Sequence, residues 1–134
     1  IESEIRKYAA EDWIDLPGFI ERKDQIQLYQ HANLLVAPSR REGWNMTITE
    51  AAACGTSSVA TKIPGHLDAV IDQETGLLVE DDIEMGEAVI ATLLDDNQRS
   101  EMEINAVKHA KNFQWDHTAA IILNALCDDA ESRK

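Results

Sequence analysis

The residues best suited to chemistry in this sequence are two carboxylates, Glu42 and Glu50, on either side of a loop that runs into a helix. The helix is predicted to begin near Asn45, because an asparagine side chain accepts a hydrogen bond from a free amide of the first turn. Such free amides carry the positive end of the helix dipole and bind phosphate readily. The spacing therefore predicts an anion site framed by two acidic side chains. A glutamate near a helix start also complements the dipole without any ligand, and for Glu50 that reading stays open.

The predicted helix lies between two short segments that read as parallel strands. Residues 34–37 form a run of the kind that a parallel sheet buries on both faces, and Ser58–Thr61 is the next predicted strand. Residues 51–53 are alanines that favour the helix, and Gly55 ends it. The distance between the strands fits a right-handed crossover through the helix. The helix N-terminus should then lie at the carboxyl end of a strand.

Further segments extend this α/β pattern. Residues 13–16 are predicted as a strand, and Gly76–Val79 as a later one. Helices are predicted over residues 1–10 and 22–32, and a single helical turn over residues 69–71. Strands and helices thus alternate through the first 80 residues, which favours a parallel sheet with helices on its faces.

The last third of the sequence is predicted to be helical. Apolar residues recur at four-residue spacing from Met85 to Leu93, in a helix capped by Asp82. Two more helices are predicted, over residues 97–112 and 115–127. The apolar stripes of these helices predict packing into a core rather than cofactor binding.

Composition bounds the function. With 134 residues, of which 44% are hydrophobic, the chain is predicted to form one domain over residues 1–134. A formal charge of -13 and a pI near 4.5 argue against nucleic acid and anionic membrane as partners. No signal peptide is predicted from these residues, and they contain no apolar run near the roughly 18 residues of a membrane span. Cys54 and Cys127 lack metal-binding spacing, which predicts reduced structural thiols, no metal and a cytoplasmic location.

Four other side chains are weighed as ligand contacts. Arg40 and Arg41 could neutralise a diphosphate, although adjacent side chains in a loop can point apart. His66 is the one histidine predicted to lie in a loop at the carboxyl end of a strand, but a catalytic base needs a hydrogen-bonding partner. Trp44 either stacks on a base or sugar or anchors its own loop. These alternatives stay open.

A series of motifs resembles the retaining GT-B glycosyltransferases, the group 1 family that includes glycogen and sucrose synthases. The segment from Glu42 to Glu50 is similar to the two-glutamate signature of that family. The other matching segments follow in the family's order: residues 16–20, 32–39, 58–61, 64–68 and 74–79. The resemblance covers about residues 16–96 and rests on several motifs rather than one.

The resemblance implies a Rossmann-like three-layer α/β/α domain with a parallel sheet, followed by C-terminal helices. Its ligand would be a UDP or GDP sugar, bound without a metal or another cofactor. In the family the first glutamate lies against the donor sugar and the second binds the ribose hydroxyls, which gives these roles to Glu42 and Glu50. The backbone amides implied to face the sugar and diphosphate are those of Gly43, Trp44, Asn45 and Met46. Independently of the resemblance, Arg40 is predicted as a phosphate contact from its place in the loop.

Departures from the family limit what this chain should do alone. The family's Gly-Arg-x4-Lys-Gly motif is not in this sequence, and Asp68 stands where the family usually has glutamate. The full-length enzyme would move a hexose to an acceptor hydroxyl with retention, in partnership with an N-terminal acceptor domain that this chain lacks. We expect the isolated chain to transfer no sugar. Without neighbouring strands, residues 13–16 would re-pair, pack loosely or associate with another chain.

Two alternatives compete with this reading. A non-catalytic α/β interaction module, such as a receiver-like domain, would carry acidic residues after its first strand and a lysine after a late one. That pattern is not evident in this sequence. A degenerate glycosyltransferase half kept for assembly would share every motif described, so the residues alone leave it open.

Overall fold

A computed structural model describes residues 1–133 as a small sheet flanked by helices. Its strands are β1 (Leu35–Ala37), β2 (Ser58–Thr61) and β3 (Gly76–Val79). The helices of the described chain are α1 (Glu2–Lys7), α2 (Arg22–His31), α3 (Met46–Ala53), α4 (Pro64–Leu67), α5 (Asp82–Leu94), α6 (Asp96–Ala110) and α7 (Trp115–Ser132). A 3₁₀ turn (Lys111–Phe113) joins α6 to α7.

The sheet is parallel throughout, in the order β1-β2-β3. Val59 on the central strand pairs with Val36 on one side and with Leu77 on the other. All four residues of β2 are buried. A helical connection returns the chain to the start of each next strand. Because the three strands are therefore parallel, their carboxyl ends lie at one edge of the sheet. The predicted α/β class and parallel sheet are confirmed.

Apolar side chains pack on both faces of β2, which gives the three layers that were predicted. Ala60 on one face belongs to a cluster with Ile48 of α3 and Val70, which follows α4. Val59 on the other face packs with Val79 and with Met85 of α5. The sheet is therefore fixed from both sides, and its carboxyl edge is a rigid base for the loops that leave it.

Strand β1 differs from the prediction that residues 34–37 are buried on both faces. The strand begins at Leu35, and Val36 is 42% exposed. In the described chain β1 pairs with β2 alone, so one of its edges carries no neighbouring strand. This edge position explains why Val36 is exposed.

The prediction of a strand at residues 13–16 is wrong. Residues 11–13 form a turn, and Trp13 is 73% exposed. The backbone amides of Trp13 and Ile14 both donate to the carbonyl of Ala10, which takes them out of any sheet. Since this local turn uses those amides, the expected re-pairing with another strand does not occur in the described chain.

Helix α3 begins and ends where its sequence predicts. Asn45 is the N-cap, and its Oδ1 accepts a hydrogen bond from the amide of Thr47 at 3.1 Å. At the other end Gly55 takes a φ of +94°, a conformation that favours glycine. The amide of Thr56 reaches back to the carbonyl of Ala51, as in the usual glycine-terminated helix end.

Several smaller predictions need correction. The single helical turn is α4 rather than residues 69–71, because Pro64 has no amide hydrogen and suits the first position of a helix. Asp81, not Asp82, caps α5 by accepting from two amides of the first turn. Cys54 is half-buried but Cys127 is exposed, and both are free, so the structural role predicted for Cys127 is not supported.

Helix α7 continues to Ser132, past its predicted end at residue 127. None of its described residues is buried, and its large apolar side chains are exposed: Ile121, Ile122, Leu123 and Leu126. The apolar stripe that was expected to pack into a core therefore has no cover, because the main neighbour of α7 in the described chain is the 3₁₀ turn.

Candidate functional site

The carboxyl edge of the sheet opens into a cleft of about 350 Å³. It is lined by residues at or just after the carboxyl ends of the three strands: Pro38, Ser39, Arg40, Thr61, Lys62, Ile63, Glu80, Asp81 and Asp82. Nζ of Lys62 lies 2.9 Å from a carboxylate oxygen of Glu80. The hydrogen bond and the charge of Glu80 raise the pKa of Lys62, so the lysine stays charged. Arg40, by contrast, makes no ion pair within residues 1–133 and is exposed in the loop.

The β1–α3 loop, residues 38–45, ends at a buried hydrogen-bond network. Nδ1–H of His66 donates to the carbonyl of Thr61 at 2.7 Å, which leaves Nε2 as the acceptor. Nδ2 of Asn45 donates to that Nε2 at 3.1 Å. Both ends of the Asn45 amide are thus used, one for the helix cap and one for His66. His66 is fully buried, so it orients the cap of α3 rather than facing solvent.

Close contact with α4 also fixes the backbone at Glu42. A Cβ added to Gly65 would lie 2.4 Å from the carbonyl oxygen of Glu42, which leaves no room for any side chain. The half-buried Glu42 carboxylate accepts a hydrogen bond from Oγ of Ser39 at 3.0 Å. Glu42 is therefore held by its neighbour in the loop and by the chain of α4 behind it.

An aromatic contact holds the middle of the loop. The rings of Trp44 and Phe113 meet edge to face, with centroids 5.0 Å apart, and Phe113 makes a similar contact with His109 of α6 at 4.8 Å. Nε2 of His109 lies 3.2 Å from the backbone carbonyl of Asp68. Trp44 is nevertheless 39% exposed. It anchors the loop and still presents ring surface to solvent.

Glu50 faces α2 rather than the cleft at the strand ends. Its Oε1 accepts from Nη1 of Arg22 at 2.7 Å, and its Oε2 accepts from Nε2 of Gln25 at 3.3 Å and from the hydroxyl of Tyr29 at 3.5 Å. The hydrogen bond and charge of Glu50 raise the pKa of Arg22. A further hydrogen bond holds α2 beside the end of α3, since the hydroxyl of Thr56 donates to the backbone carbonyl of Tyr29.

A second cleft, of about 520 Å³, opens beside Glu50. Its lining comes from α2, α3 and the aromatic residues that follow α6: Arg22, Ile26, Tyr29, Gln30, Met46, Thr49, Glu50, Ala53, Cys54, Ala110, Phe113 and Trp115. Met46 and Trp115 are largely exposed along it. Arg40 of the loop before α3 therefore lines one cleft, and Glu50 of α3 lines the other.

The residues singled out in the sequence are thus only partly brought together. The structure places Gly43, Trp44, Asn45 and Met46 in sequence order around the start of α3, as predicted, with Gly43 and Met46 exposed. Neither of the two clefts described is lined by both glutamates. Arg41 and the side chain of Asp68 are exposed.

Several contacts at the site were missed in the sequence. Arg22, Gln25 and Tyr29 lie 21 to 28 residues before Glu50, and nothing in their spacing pointed to it. The contact of Phe113 with Trp44 joins positions still further apart. A partial signal existed for Gly65, since a glycine beside a proline-initiated turn often marks close backbone approach.

The profile of the family described as Glycosyl transferases group 1 matches residues 1–112. The chain belongs to this family. It is 36% identical over 110 residues to D-inositol 3-phosphate glycosyltransferase of Acidothermus cellulolyticus, covering 81% of this chain and 25% of that protein. The corresponding protein of Corynebacterium diphtheriae is 38% identical over 110 residues, covering 81% and 26%. This group 1 glycosyltransferase chain therefore spans about a quarter of the length of these relatives.

Solved structures share the fold. Sucrose-phosphate synthase from Thermosynechococcus elongatus superposes with a TM-score of 0.85 at 27% identity, covering 99% of this chain and 34% of that one. The pneumococcal O-GlcNAc transferase GtfA, solved in complex with UDP and GlcNAc, superposes with a TM-score of 0.72 at 23% identity, covering 98% and 26%. The second likeness concerns the fold alone. The GT-B glycosyltransferase assignment made from the sequence is confirmed.

Two further observations concern residues 1–133. No helix there combines the length and the apolar character needed to cross a membrane. Groups of three or more histidine, cysteine, aspartate or glutamate side chains arranged around a common metal position are likewise not found in that part of the chain.

Proposed function

We propose that this group 1 chain supplies the sugar-donor half-site of a retaining hexosyltransferase. The site binds a nucleoside diphosphate sugar, and the whole protein transfers the hexose to an acceptor hydroxyl with retention, without a metal. An N-terminal acceptor domain completes the active site. The relatives in this family carry glycosyltransferase names, and the fold is that of GT-B enzymes, which supports the reaction class.

The observation that carries the proposal is the start of α3. Asn45 caps the helix, His66 locks the cap, and the helix N-terminus sits beside the carboxyl edge of a parallel sheet. Free amides at such a position favour a diphosphate. Within this arrangement Glu42 faces the donor sugar, while Gly43, Trp44 and Met46 contribute amides or ring surface.

The charge of the chain shapes how a diphosphate binds. The formal charge of -13 repels an anion at long range, so affinity depends on local groups. Arg40 is the basic side chain of the β1–α3 loop that lines the cleft, and we assign it a phosphate contact. Glu50 then accepts hydrogen bonds from the ribose hydroxyls at the other end of the nucleotide.

An amide-resolved NMR titration tests the half-site. The isotope-labelled chain is titrated with UDP, GDP, UDP-glucose and GDP-mannose. We expect shifts concentrated at residues 40–50, with one nucleotide base preferred. An absence of shifts at millimolar nucleotide would overturn the proposal for this chain and favour a non-catalytic α/β module.

Glu50→Gln is expected to weaken nucleotide binding by about 1–3 kcal/mol, because an amide keeps the shape of the carboxylate but accepts hydroxyl hydrogen bonds less strongly. Isothermal titration calorimetry with the preferred nucleotide measures the difference. Glu87→Gln is the control, since Glu87 is exposed on α5, away from both clefts. Equal affinities for the two variants would remove Glu50 from the site.

The single domain over residues 1–134, the cytoplasmic location, the self-association and the inactivity of the isolated chain also stay predictions.

A further inference from the structure

Helix α2 presents one polar face to Glu50. Arg22, Gln25 and Tyr29 lie three and four residues apart, so their side chains point to the same side of the helix. All three donate hydrogen bonds to the one carboxylate. A carboxylate that served only as a complement to the dipole of α3 would not need three side-chain partners from another helix.

The three bonds are unequal, and the inequality separates the two carboxylate oxygens. Arg22 holds Oε1 at 2.7 Å, a short distance that is typical of a charge-assisted hydrogen bond. Gln25 and Tyr29 reach Oε2 at 3.3 and 3.5 Å, near the outer limit for hydrogen bonds. Oε1 is therefore anchored, whereas Oε2 is held weakly and can exchange its partners for an incoming hydroxyl.

We propose that Arg22 is a positioning residue of the donor site, which anchors Oε1 of Glu50 so that Oε2 accepts the 2′-hydroxyl of the donor's ribose. This inference rests on the proposed function, in which Glu50 binds the ribose. It adds α2 to a site that the sequence motifs confined to the β1–α3 loop and α3. Arg22 itself acts through Glu50 and needs no contact with the nucleotide.

Burial and shape fit this role. The Glu50 side chain is 22% exposed and that of Arg22 is 66% exposed, and both line the second cleft. The carboxylate is thus reachable from solvent, and its arginine is the more exposed of the pair. A free glutamate loses side-chain entropy when it binds a ligand, and a carboxylate fixed in advance avoids much of that loss.

The Arg22–Glu50 ion pair contributes little to folding stability, because Arg22 is so exposed. Its value therefore lies in orientation.

The test compares ribonucleotide with 2′-deoxyribonucleotide binding. UDP and dUDP, or GDP and dGDP if guanine is preferred, are titrated into the unsubstituted chain and into Arg22→Ala. The unsubstituted chain should prefer the ribonucleotide about tenfold, the value of one charge-assisted hydrogen bond. In Arg22→Ala the preference should fall towards one, because the ribonucleotide loses affinity and the deoxyribonucleotide does not.

Two variants separate orientation from charge. Lys23→Ala removes an equal charge from the next residue of α2, and Lys23 pairs with Glu21 rather than with the site, so the preference should stay near tenfold. Arg22→Lys should restore much of the preference, because the contact uses a single nitrogen and an ammonium group can make it. An affinity loss in Arg22→Ala that is the same for both nucleotides would mean that Arg22 acts on the phosphates.

The outcomes distinguish this inference from the proposed function. If the unsubstituted chain binds neither nucleotide, the proposed function fails and the inference fails with it. Should the chain bind and Arg22→Ala keep the full ribose preference, only the inference is overturned. Tighter ribonucleotide binding by Arg22→Ala would also overturn it, because Arg22 would then be blocking the carboxylate.

Discussion

Gly65→Ala is expected to lower the nucleotide affinity of the chain at least tenfold. The added methyl group would lie 2.4 Å from the carbonyl oxygen of Glu42 and 2.7 Å from its carbonyl carbon. Real Cβ atoms do not approach backbone so closely, and backbone cannot rotate away as a flexible side chain can. The β1–α3 loop must therefore move, and it carries Glu42 and the start of α3 with it. Displacements of about 1 Å at a binding site have large effects.

The measurement combines nucleotide titration with urea denaturation. Overpacking of this kind also lowers the free energy of unfolding, by about 1–3 kcal/mol. Gly86→Ala is the matched control, since a Cβ at Gly86 of α5 meets nothing within 4 Å. It should leave affinity unchanged and stabilise the helix by up to about 1 kcal/mol. Unchanged affinity in Gly65→Ala would show that the loop position does not govern binding.

His66→Ala is expected to lower the free energy of unfolding by about 3–5 kcal/mol. Removal of the fully buried ring leaves a cavity, and it leaves Nδ2 of Asn45 and the carbonyl of Thr61 without this partner. The cavity lowers stability because the residues around it can close it only in part. The two buried polar groups lower stability because each loses a hydrogen bond. Urea denaturation followed by circular dichroism gives the change.

Nucleotide affinity should fall in the same variant, since the cap of α3 loses its support. His117→Ala is the control, because His117 is exposed on α7 and its loss should change stability by no more than about 0.5 kcal/mol. A loss below about 1 kcal/mol in His66→Ala would contradict the role given to the buried network.

The elements predicted correctly are those whose signals are local. Asn45 and Gly55 mark the ends of α3 with their own chemistry, and β2 is a short segment of small and β-branched residues. The strand predicted at residues 13–16 does not form, because a strand needs a neighbouring strand to hydrogen-bond with. The residues of the segment itself do not specify whether such a neighbour is available. In the structure the amides of Trp13 and Ile14 donate to the carbonyl of Ala10 instead.

The sequence predicted which neighbouring residues form the site, but it did not predict the contacts between segments that are far apart in sequence. The residues of the β1–α3 loop follow one another in sequence, so the family resemblance located them together. Contacts that decide their positions join distant segments: Arg22 with Glu50, Gly65 with Glu42, and Phe113 with Trp44. Such pairs depend on how helices pack over the sheet, which no periodicity in a single sequence specifies.

The uncovered apolar face of α7 has a consequence for local stability. Most of the stability of a helix in a protein comes from tertiary packing of its apolar face, because nucleation of a helix in water is unfavourable. Helix α7 has 18 residues and buries none of those described. Its amide protons should therefore exchange with solvent through local opening, at rates close to those of an unfolded peptide. Those of β2 should exchange only when the whole sheet unfolds.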